Sequence, residues 1–328
     1  MTKSPSKPLT IWTNQHFSPA DADLLRECAA PHTVVWAKAT DKSVLVAGQR
    51  DPAALEADVL YGQPHLQDLL DSTRIRYVQL TSAGYTRYDK PAVLGSMKDR
   101  GIVFCNASSL FNEPVAQHTL AMLMSLCRSL PEARLDQRDQ KWRYLPLRAQ
   151  STILGGQKTL IVGYGAIARR LIELLQPFHL NVTAFRRKPR GDEAAPTLPI
   201  DELDAHLGDA RIVINILPLS DETSGFFDAG RFARFHPGAF YLNVGRGDTN
   251  DQDALADALE SGLVAAAYLD VTSPEPLPTD HRLWHLPTCH ITPHTAGGSH
   301  DEPRRMIAHF VENLERFTSG KEPIDRIA

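Results

Sequence analysis

Short apolar runs alternate with amphipathic stretches in the first third of the chain. Runs rich in β-branched and aromatic residues predict strands at residues 9–12, 34–37, 44–47, 59–61, 77–80 and 103–105. Helix-like segments separate these runs, and strands that alternate with helices form mostly parallel sheets. This part of the chain therefore predicts one parallel α/β domain.

A longer helical pattern follows this first series. The stretch PVAQHTLAMLMSLCRSLPEARLD, residues 114–136, carries apolar residues at helical spacing over more than four turns. A helix of that length is long enough to connect two domains as a rigid rod. We therefore predict one connecting helix here.

A second alternating series begins after the connector. Apolar runs predict strands at residues 159–162, 182–185, 212–217, 240–244, 265–269 and 290–292. Their nearly continuous apolar character is typical of a parallel sheet that is covered on both faces. An amphipathic pattern over about residues 300–319 predicts a last helix, which we expect to return to the first domain.

Composition narrows the classes of partner. A chain of 328 residues is longer than a single core usually supports, so two domains are expected. With 42% hydrophobic residues and a net charge of −4, the chain has no broad basic field. Nucleic acid and anionic membrane surfaces are therefore not expected as partners. A small molecule is the partner that the composition favours.

Cysteine spacing and hydropathy bear on the compartment. Cys28, Cys105, Cys127 and Cys289 are scattered and form no C-x-x-C pair, so neither a disulfide framework nor a zinc site is indicated. The first ten residues lack an apolar signal region, and no later run approaches the roughly 18 apolar residues of a membrane span. These features favour a cytoplasmic protein.

A glycine-rich loop stands between a predicted strand and a predicted helix in TLIVGYGAIARRLIELLQ. In this context Gly163 permits a tight turn, Gly165 lets a pyrophosphate approach the backbone, and Ala168 packs the helix on the strand. The helix start offers free N–H groups to the diphosphate. The loop residues predicted to bind a dinucleotide are Gly163, Tyr164, Gly165, Ala166 and Ile167. A turn without a ligand is the alternative.

A basic turn follows the next predicted strand. Where an NAD site expects an acidic residue, the chain has TAFRRKP, with Arg186 and Arg187 and no carboxylate before Asp192. Guanidinium groups suit the oxygens of a 2′-phosphate. The turn therefore predicts that NADP(H) is preferred, although NAD(H) is possible. A solvated basic turn that only weakens NAD binding is the alternative.

Several ordered motifs resemble one family. The segments DARIVINILPLSDETSGFFD, GAFYLNVGRGDTND, AAYLDVTSPEPLP and LPTCHITPHTAGG are similar to those of the D-isomer-specific 2-hydroxyacid dehydrogenases, as are SAG and VAQHTLAML upstream. The resemblance covers about residues 45–320. It implies a reversible hydride transfer between a nicotinamide ring and C2 of a 2-oxo or 2-hydroxy acid.

The resemblance also assigns three catalytic residues. It implies that Arg246 in VGRG holds the substrate carboxylate and polarises the carbonyl. It makes His294 in TPH the proton donor and acceptor, and Glu275 in PEP the group that orients the imidazole. Glu275 stands 29 residues after Arg246 and 19 before His294, which is the family's spacing.

Further contacts follow from the same resemblance. It places Asp270 near the nicotinamide carboxamide, and Val244 and Gly245 near the nicotinamide ribose. The adenosine side is expected to contact Leu217, Pro218 and Thr223. Strand ends and turns without a ligand are the alternative explanation of these positions.

The substrate is expected to meet the first domain as well. The backbone amides of Ser82, Ala83 and Gly84 resemble the family loop that meets the carboxylate, and oriented N–H groups suit an anion. Tyr61 lies where the family varies its pocket, and Trp142 lies where some relatives reach a neighbouring subunit. A core or interface position is the alternative for both aromatic residues.

The expected fold has two doubly wound parallel-sheet domains with a cleft between them. Residues 107–296 would form a Rossmann-type cofactor domain. Residues 1–106 and 297–328 would form a flavodoxin-like substrate domain. The family resemblance implies a homodimer, built partly on residues 122–142. No metal is expected, because prolines interrupt the histidines at 281–294 and no acidic ligand motif joins them.

The predicted reaction is the reduction of glyoxylate, hydroxypyruvate or a larger 2-oxo acid. One alternative is a nicotinamide-nucleotide-sensing protein of the corepressor type, since some corepressors keep this fold. Another is a formate or phosphite dehydrogenase on a related scaffold. Formate enzymes usually have glutamine at the position of Glu275, which disfavours that alternative.

Overall fold

The computed structural model describes residues 7–41 and 48–328. These residues divide into two compact units. The first unit comprises the described residues up to Phe111 together with Ser299–Ala328, and the second comprises Asn112–Gly298. Each unit is built around one parallel sheet, which confirms the predicted fold class of two α/β domains.

The first unit has five strands among its described residues. They are β1 (Thr10–Gln15), β2 (Thr33–Asp41), β3 (Val59–Gly62), β4 (Tyr77–Leu80) and β5 (Val103–Cys105). Their order is β2-β1-β3-β4-β5 and all neighbours are parallel. This is the order of flavodoxin-like sheets. The strand predicted at residues 44–47 lies outside the described residues.

Four helices connect these strands, namely α1 (Pro19–Cys28), α2 (Pro52–Leu55), α3 (Leu66–Asp71) and α4 (Pro91–Asp99). Proline in the first turn of α1, α2 and α4 loses no helical hydrogen bond there. The side chains of Ser18 and Asp51 cap α1 and α2 by accepting from backbone N–H groups.

The prediction of a single connecting helix over residues 114–136 is wrong. The structure has three helices in this region, α5 (Ser108–Cys127), α6 (Leu130–Arg138) and α7 (Tyr144–Gln150). The break lies at Ser129, whose φ of 51° is left-handed. Pro131 has no amide hydrogen to donate to the preceding turn, so it starts a new helix instead of continuing α5.

The second unit has a seven-stranded sheet in the fully described stretch 112–298. Its strands are β6 (Lys158–Val162), β7 (Asn181–Arg186), β8 (Thr197–Pro199), β9 (Ile212–Asn215), β10 (Ala239–Asn243), β11 (Val264–Leu269) and β12 (Cys289–Ile291). The order β12-β11-β10-β9-β6-β7-β8 is that of a Rossmann sheet with one strand added. Strand β8 was not predicted, because its residues TLP do not form a run of β-branched and aromatic side chains.

Helices α8 (Ala166–Leu175), α9 (Ala229–Phe232) and α10 (Gln252–Glu260) accompany this sheet. Short 3₁₀ helices complete the unit at Gln176–Phe178, Ile200–Ala205, Leu207–Asp209, Gly247–Thr249 and Arg282–His285. The predicted strand at 212–217 ends early, at Asn215. The Asn215 side chain accepts a hydrogen bond from the Leu217 N–H at 3.0 Å, which turns the chain there.

The last helix, α11 (Glu302–Thr318), packs on the sheet of the first unit. The rings of Phe310 and Tyr61 are stacked with their centres 4.1 Å apart, and Phe17 lies on the other side of Tyr61. Tyr61 is 1% exposed. This position corrects the expected substrate contact of Tyr61, because an enclosed ring presents no surface to a ligand.

Among the described residues, every helix is too short or too polar to cross a bilayer.

Candidate active site

The glycine loop follows β6 at the point where the strand order of the second sheet reverses. Gly163 has a φ of 101°, and a Cβ at this position would lie 2.9 Å from the carbonyl oxygen of Ile216. Gly165 precedes α8, has no side-chain cap, and has no atom within 4 Å of a Cβ built on it. The open N-terminus of α8 therefore fits the diphosphate of a dinucleotide.

The rest of the predicted loop supports this helix start. Ala168 is fully buried, so α8 packs closely on the sheet. Ala166 and Ile167 begin the helix. The hydroxyl of Tyr164 accepts a hydrogen bond from the Ala194 N–H at 2.7 Å. The loop after β7 is thereby tied to the glycine loop.

The two arginines of the basic turn have different surroundings. Nη1 of Arg186 lies 2.9 Å from Oε1 of Glu193, the residue that follows Asp192. Nη1 of Arg187 lies 3.2 Å from Oε2 of Glu222. The Arg186 side chain is 18% exposed and that of Arg187 is 78% exposed. The turn therefore presents Arg187 to solvent and holds Arg186 against the protein.

Loops after β9 and β10 meet beside the glycine loop. A Cβ on Gly245 would lie 2.4 Å from the carbonyl oxygen of Leu217, so only glycine allows this approach. Val244 and Leu217 are both buried. Thr223 closes the loop after β9 by donating to the carbonyl of Pro218 at 2.6 Å. The residues predicted for the adenosine and ribose sides thus lie on neighbouring loops.

Two buried asparagines, Asn215 and Asn243, shape these loops and were missed from the sequence. Each is the last residue of its strand and fully buried. The side chain of Asn243 accepts from Gly245 N–H at 2.9 Å and donates to the carbonyl of Arg246 at 3.1 Å. The signal was present, because INI and LNV each place an asparagine at the end of an apolar run.

His294 and Glu275 form the central pair of the site. Nδ1 of His294 lies 2.7 Å from Oε2 of Glu275, and Oε1 of Glu275 accepts from the Thr272 N–H at 3.1 Å. Burial alone would raise the pKa of Glu275. The hydrogen bond and charge of His294, the Thr272 N–H and the charge of Arg246 outweigh burial, so the pKa is lowered. The carboxylate is therefore ionised at neutral pH.

Arg246 lies on the same side of the second unit, between β10 and the 3₁₀ helix Gly247–Thr249. Burial lowers its pKa, and the charge of Glu275 partly offsets that effect. Its Nη1 donates to its neighbour's carbonyl, that of Gly245, at 2.7 Å. Among the described residues it has no ion pair within 4.0 Å. A partly buried cation with so little compensation suits an anionic ligand.

Asp270 holds the loop that carries His294. Its Oδ1 accepts from the Thr292 hydroxyl at 2.6 Å and the Thr295 N–H at 2.9 Å, and its Oδ2 accepts from the Ala296 N–H at 3.0 Å. Its carbonyl accepts from the N–H of His294, which has a φ of 53°. Its side-chain contacts thus position the imidazole.

His118 on α5 joins this network and was also missed. Its Nε2 lies 3.2 Å from the Thr292 hydroxyl oxygen. Because that hydroxyl donates its hydrogen to Asp270, Nε2 of His118 is the donor in this contact. Only the tertiary structure brings α5 to β12, so no local pattern in the sequence indicated this contact.

The predicted substrate loop lies in the first unit, after β4. The Gln63 side chain, 2% exposed, donates to the Ser82 hydroxyl at 3.1 Å. The Asn106 side chain donates to the Ala83 carbonyl at 2.7 Å, and the Ser82 hydroxyl donates to the Gly84 carbonyl at 2.7 Å. The loop is therefore held in one conformation by its own unit.

Trp142 is 93% exposed and lies between α6 and α7. Other apolar residues of the stretch 130–153 are also exposed, namely Leu130, Leu135, Tyr144, Leu145 and Ile153.

Within the part of the chain that the structure describes, no group of three or more histidine, cysteine or acidic residues is arranged to hold a metal. His281 instead caps the 3₁₀ helix Arg282–His285 through its Nδ1.

Comparison with known proteins agrees with this geometry. A sequence profile described as "D-isomer specific 2-hydroxyacid dehydrogenase, NAD binding domain" matches residues 120–296. The glyoxylate reductase/hydroxypyruvate reductase of Homo sapiens is 33% identical over 227 residues, which are 67% of this chain and 68% of that protein. The glyoxylate reductase of Korarchaeum cryptofilum is 28% identical over 313 residues, 94% of this chain and 89% of that protein.

A solved structure extends the similarity to the whole fold. The D-isomer specific 2-hydroxyacid dehydrogenase family protein of Aeromonas salmonicida has a TM-score of 0.78 at 26% identity. The match covers 98% of this chain and 99% of that chain. The Rossmann sheet and its glycine loop, together with these matches, identify a nicotinamide-dependent oxidoreductase. More specifically, the chain belongs to the D-isomer-specific 2-hydroxyacid dehydrogenase family.

Proposed function

We propose that this enzyme reduces a small 2-oxo acid to the D-2-hydroxy acid and prefers NADP(H) to NAD(H). The observation that carries the proposal is the partly buried Arg246 beside the hydrogen-bonded pair of His294 and Glu275. A cation, a proton donor and a carboxylate that orients the donor are the groups that this reduction requires. Glyoxylate and hydroxypyruvate are the first candidate substrates, because the similar human protein is named glyoxylate reductase/hydroxypyruvate reductase.

The bound nicotinamide cofactor supplies the hydride that C2 of the oxo acid accepts. Arg246 binds the substrate carboxylate, and its charge stabilises the negative charge that develops on the carbonyl oxygen. His294 donates the proton from Nε2, since Nδ1 is held by Glu275. The carboxylate of Glu275 stabilises the imidazolium before the transfer and fixes the ring afterwards. In the oxidation direction, neutral Nε2 accepts the proton.

The proposed cofactor contacts lie on four loops of the second unit. They are Gly163, Tyr164, Gly165, Ala166 and Ile167; Arg186 and Arg187; Leu217, Pro218 and Thr223; and Val244, Gly245 and Asp270. Support comes from the open helix start at Gly165 and the exposed cation of Arg187. The contacts of Ser82, Ala83 and Gly84 with the substrate, like the cytoplasmic location and the cleft, stay predictions.

Steady-state rates with NADPH and NADH test this proposal. Glyoxylate, hydroxypyruvate, pyruvate and phenylpyruvate are compared as substrates, and formate and phosphite are offered in the oxidation direction. We expect one or more oxo acids to be reduced, with a higher kcat/KM for NADPH. A large advantage of NADH would refute the cofactor preference. Turnover of formate or phosphite alone would refute the substrate class, and cofactor binding without any turnover would favour the sensing alternative.

We also propose that a second copy of this chain covers the exposed apolar surface of α6 and α7. Trp142 is 93% and Leu145 is 72% exposed, which is costly for a side chain that meets only water. Light scattering with size-exclusion chromatography tests this directly. We expect a dimer that Leu145→Glu weakens, and a wild-type protein that is monomeric at micromolar concentration would refute the proposal.

A further inference from the structure

The two adjacent arginines at the end of β7 point into different environments. The strand β7 ends at Arg186, and Arg187 is the first residue beyond it. The guanidinium of Arg186 lies 2.9 Å from Glu193 and 5.5 Å from the ring centre of Tyr164. Arg187 pairs with Glu222, and both of these side chains are largely exposed, at 78% and 70%. The two cations are therefore not equivalent.

Glu193 accepts hydrogen bonds from Arg186 and from the turn that follows it. Its side chain is 3% exposed, and its carboxylate accepts from the Arg190 N–H at 2.8 Å and the Gly191 N–H at 2.7 Å as well as from Arg186. The Arg190 N–H, the Arg186 side chain and the Gly191 N–H together outweigh burial and lower the pKa of Glu193 to about 2. The carboxylate stays ionised and fixes the turn.

Tyr164 of the glycine loop contacts the same turn. Its hydroxyl accepts from the Ala194 N–H, one residue beyond Glu193, at 2.7 Å. Arg186, Glu193 and Tyr164 therefore tie the chain at 190–194 to both β7 and the glycine loop. We call these three side chains the clasp.

Charge balance decides what each arginine can offer a ligand. The charge of Arg186 is compensated by an enclosed carboxylate at hydrogen-bond distance, and separating such a pair would leave an unpaired buried charge. Arg187 has only an exposed partner, and exposed pairs are weak enough to be exchanged for another anion. A phosphate that approaches the turn therefore meets Arg187 as its available cation.

We propose that the clasp of Arg186, Glu193 and Tyr164 consists of positioning residues that present Arg187, which alone of the two arginines selects the 2′-phosphate. This inference rests on the proposed preference for NADP(H). It narrows the phosphate contact, proposed above for both arginines, to Arg187, and it assigns Arg186 to Glu193 instead. It also makes Glu193 and Tyr164 determinants of cofactor choice.

The test measures the NADPH-to-NADH ratio of kcat/KM and the thermal midpoint for five proteins. They are the wild type, Arg187→Gln, Arg186→Gln, Glu193→Gln and the double variant Arg186→Gln/Glu193→Gln. We expect Arg187→Gln to lower the ratio by about tenfold or more, the effect of one lost charge-assisted contact, without changing the thermal midpoint. An unchanged ratio in Arg187→Gln would overturn the inference.

Glu193→Gln separates the clasp from a direct contact of Arg186. This variant removes no cation, and it releases Arg186 from its partner. If the clasp presents Arg187, the ratio should fall in Glu193→Gln and the double variant should recover nothing. A phosphate contact made by Arg186 itself would instead persist or strengthen in Glu193→Gln. A wild-type or higher ratio in that variant would therefore refute the clasp.

Tyr164→Phe provides a second measurement if Arg186→Gln does not fold. It removes only the acceptor of the Ala194 N–H, and we expect the ratio to fall by roughly two- to tenfold, the range for one neutral hydrogen bond. An unchanged ratio would count against the clasp. The matched control is Arg316→Gln/Glu312→Gln, an i,i+4 pair on α11 of the first unit, which should leave the ratio at the wild-type value.

The proposed function and the inference fail in different ways. A wild-type enzyme that favours NADH refutes the cofactor preference, whatever the variants do. A wild-type enzyme that favours NADPH while Glu193→Gln keeps or raises the ratio retains the preference and refutes the clasp.

Discussion

Replacing Glu275 with glutamine tests what the charge of this carboxylate contributes to the proposed proton transfer by His294. Glutamine keeps an oxygen that can accept from Nδ1 of His294, but it removes the negative charge beside the imidazole. The imidazolium form is therefore stabilised less in Glu275→Gln than in the wild type. Because reduction needs the ring as its proton donor, kcat of reduction should fall in the variant.

The structure sets the size of this effect. The His294–Glu275 contact is 2.7 Å long, and the two side chains are only 26% and 29% exposed. A hydrogen bond to a charged partner contributes about 1.5–3 kcal/mol, against about 0.5–1.5 kcal/mol for a neutral one. The midpoints of the two ranges differ by about 1.3 kcal/mol, which corresponds to about a tenfold change in rate. The kcat of reduction should therefore fall about tenfold in Glu275→Gln.

The assay follows NADPH consumption at saturating oxo acid and neutral pH, and thermal midpoints are measured beside it. Glu312→Gln on α11 is the matched control, because it removes an exposed carboxylate that pairs with Arg316 in the first unit. An unchanged kcat in Glu275→Gln would refute the role of the carboxylate charge. A fall in kcat that matches a fall in the thermal midpoint would show that Glu275 acts only as a structural contact.

Four further predictions concern single positions. His294→Gln should lower kcat by about 10²- to 10⁴-fold while NADPH still binds, as fluorescence titration would show; a smaller loss would remove the histidine from the proton transfer. Gly163→Ala should lower the free energy of unfolding by roughly 1–3 kcal/mol in urea titrations, because its φ is 101° and the new Cβ would lie 2.9 Å from the Ile216 carbonyl. Gly165→Ala, with φ negative and open space around it, should keep that stability and weaken cofactor binding; equal destabilisation of both variants would contradict this reasoning. The depressed pKa of Glu193, about 2 against a usual 4.5, means that its ionised form stabilises the fold above pH 4.5 and that this contribution is lost as the pH falls towards 2. The thermal midpoints of the wild type and Glu193→Gln should therefore converge over that interval, and a constant gap would exclude the linkage.

Much of the fold was predictable because its signals are local. The strands of both sheets are apolar runs of β-branched and aromatic residues, and the two-domain class followed from their alternation with helices. The break at Ser129 was not predicted. Apolar spacing continues through Arg128 and Ser129, and only the proline at 131 indicated that a new helix could begin there.

The candidate site was predictable where a motif carries the chemistry. The pairing of Glu275 with His294 was expected from the order and spacing of two motifs, and the structure brings the side chains to 2.7 Å. The hydrogen bonds by which Asn243, Asp270 and His118 hold these loops were not predicted. Their partners are backbone groups and side chains from other strands and helices, and such pairs leave no periodic pattern in one segment.

The sequence by itself determined most of the elements and the glycine loop, because these depend on residue type and on near neighbours in the chain. It also indicated the candidate reacting side chains, through ordered motifs that resemble one family. Tertiary structure alone decided that Tyr61 stacks on Phe310 in the first core and that Arg186 is held by Glu193 while Arg187 faces solvent. The physical reason is that burial and charge compensation depend on which side chains share a space. Neither quantity can be read from residues considered one segment at a time.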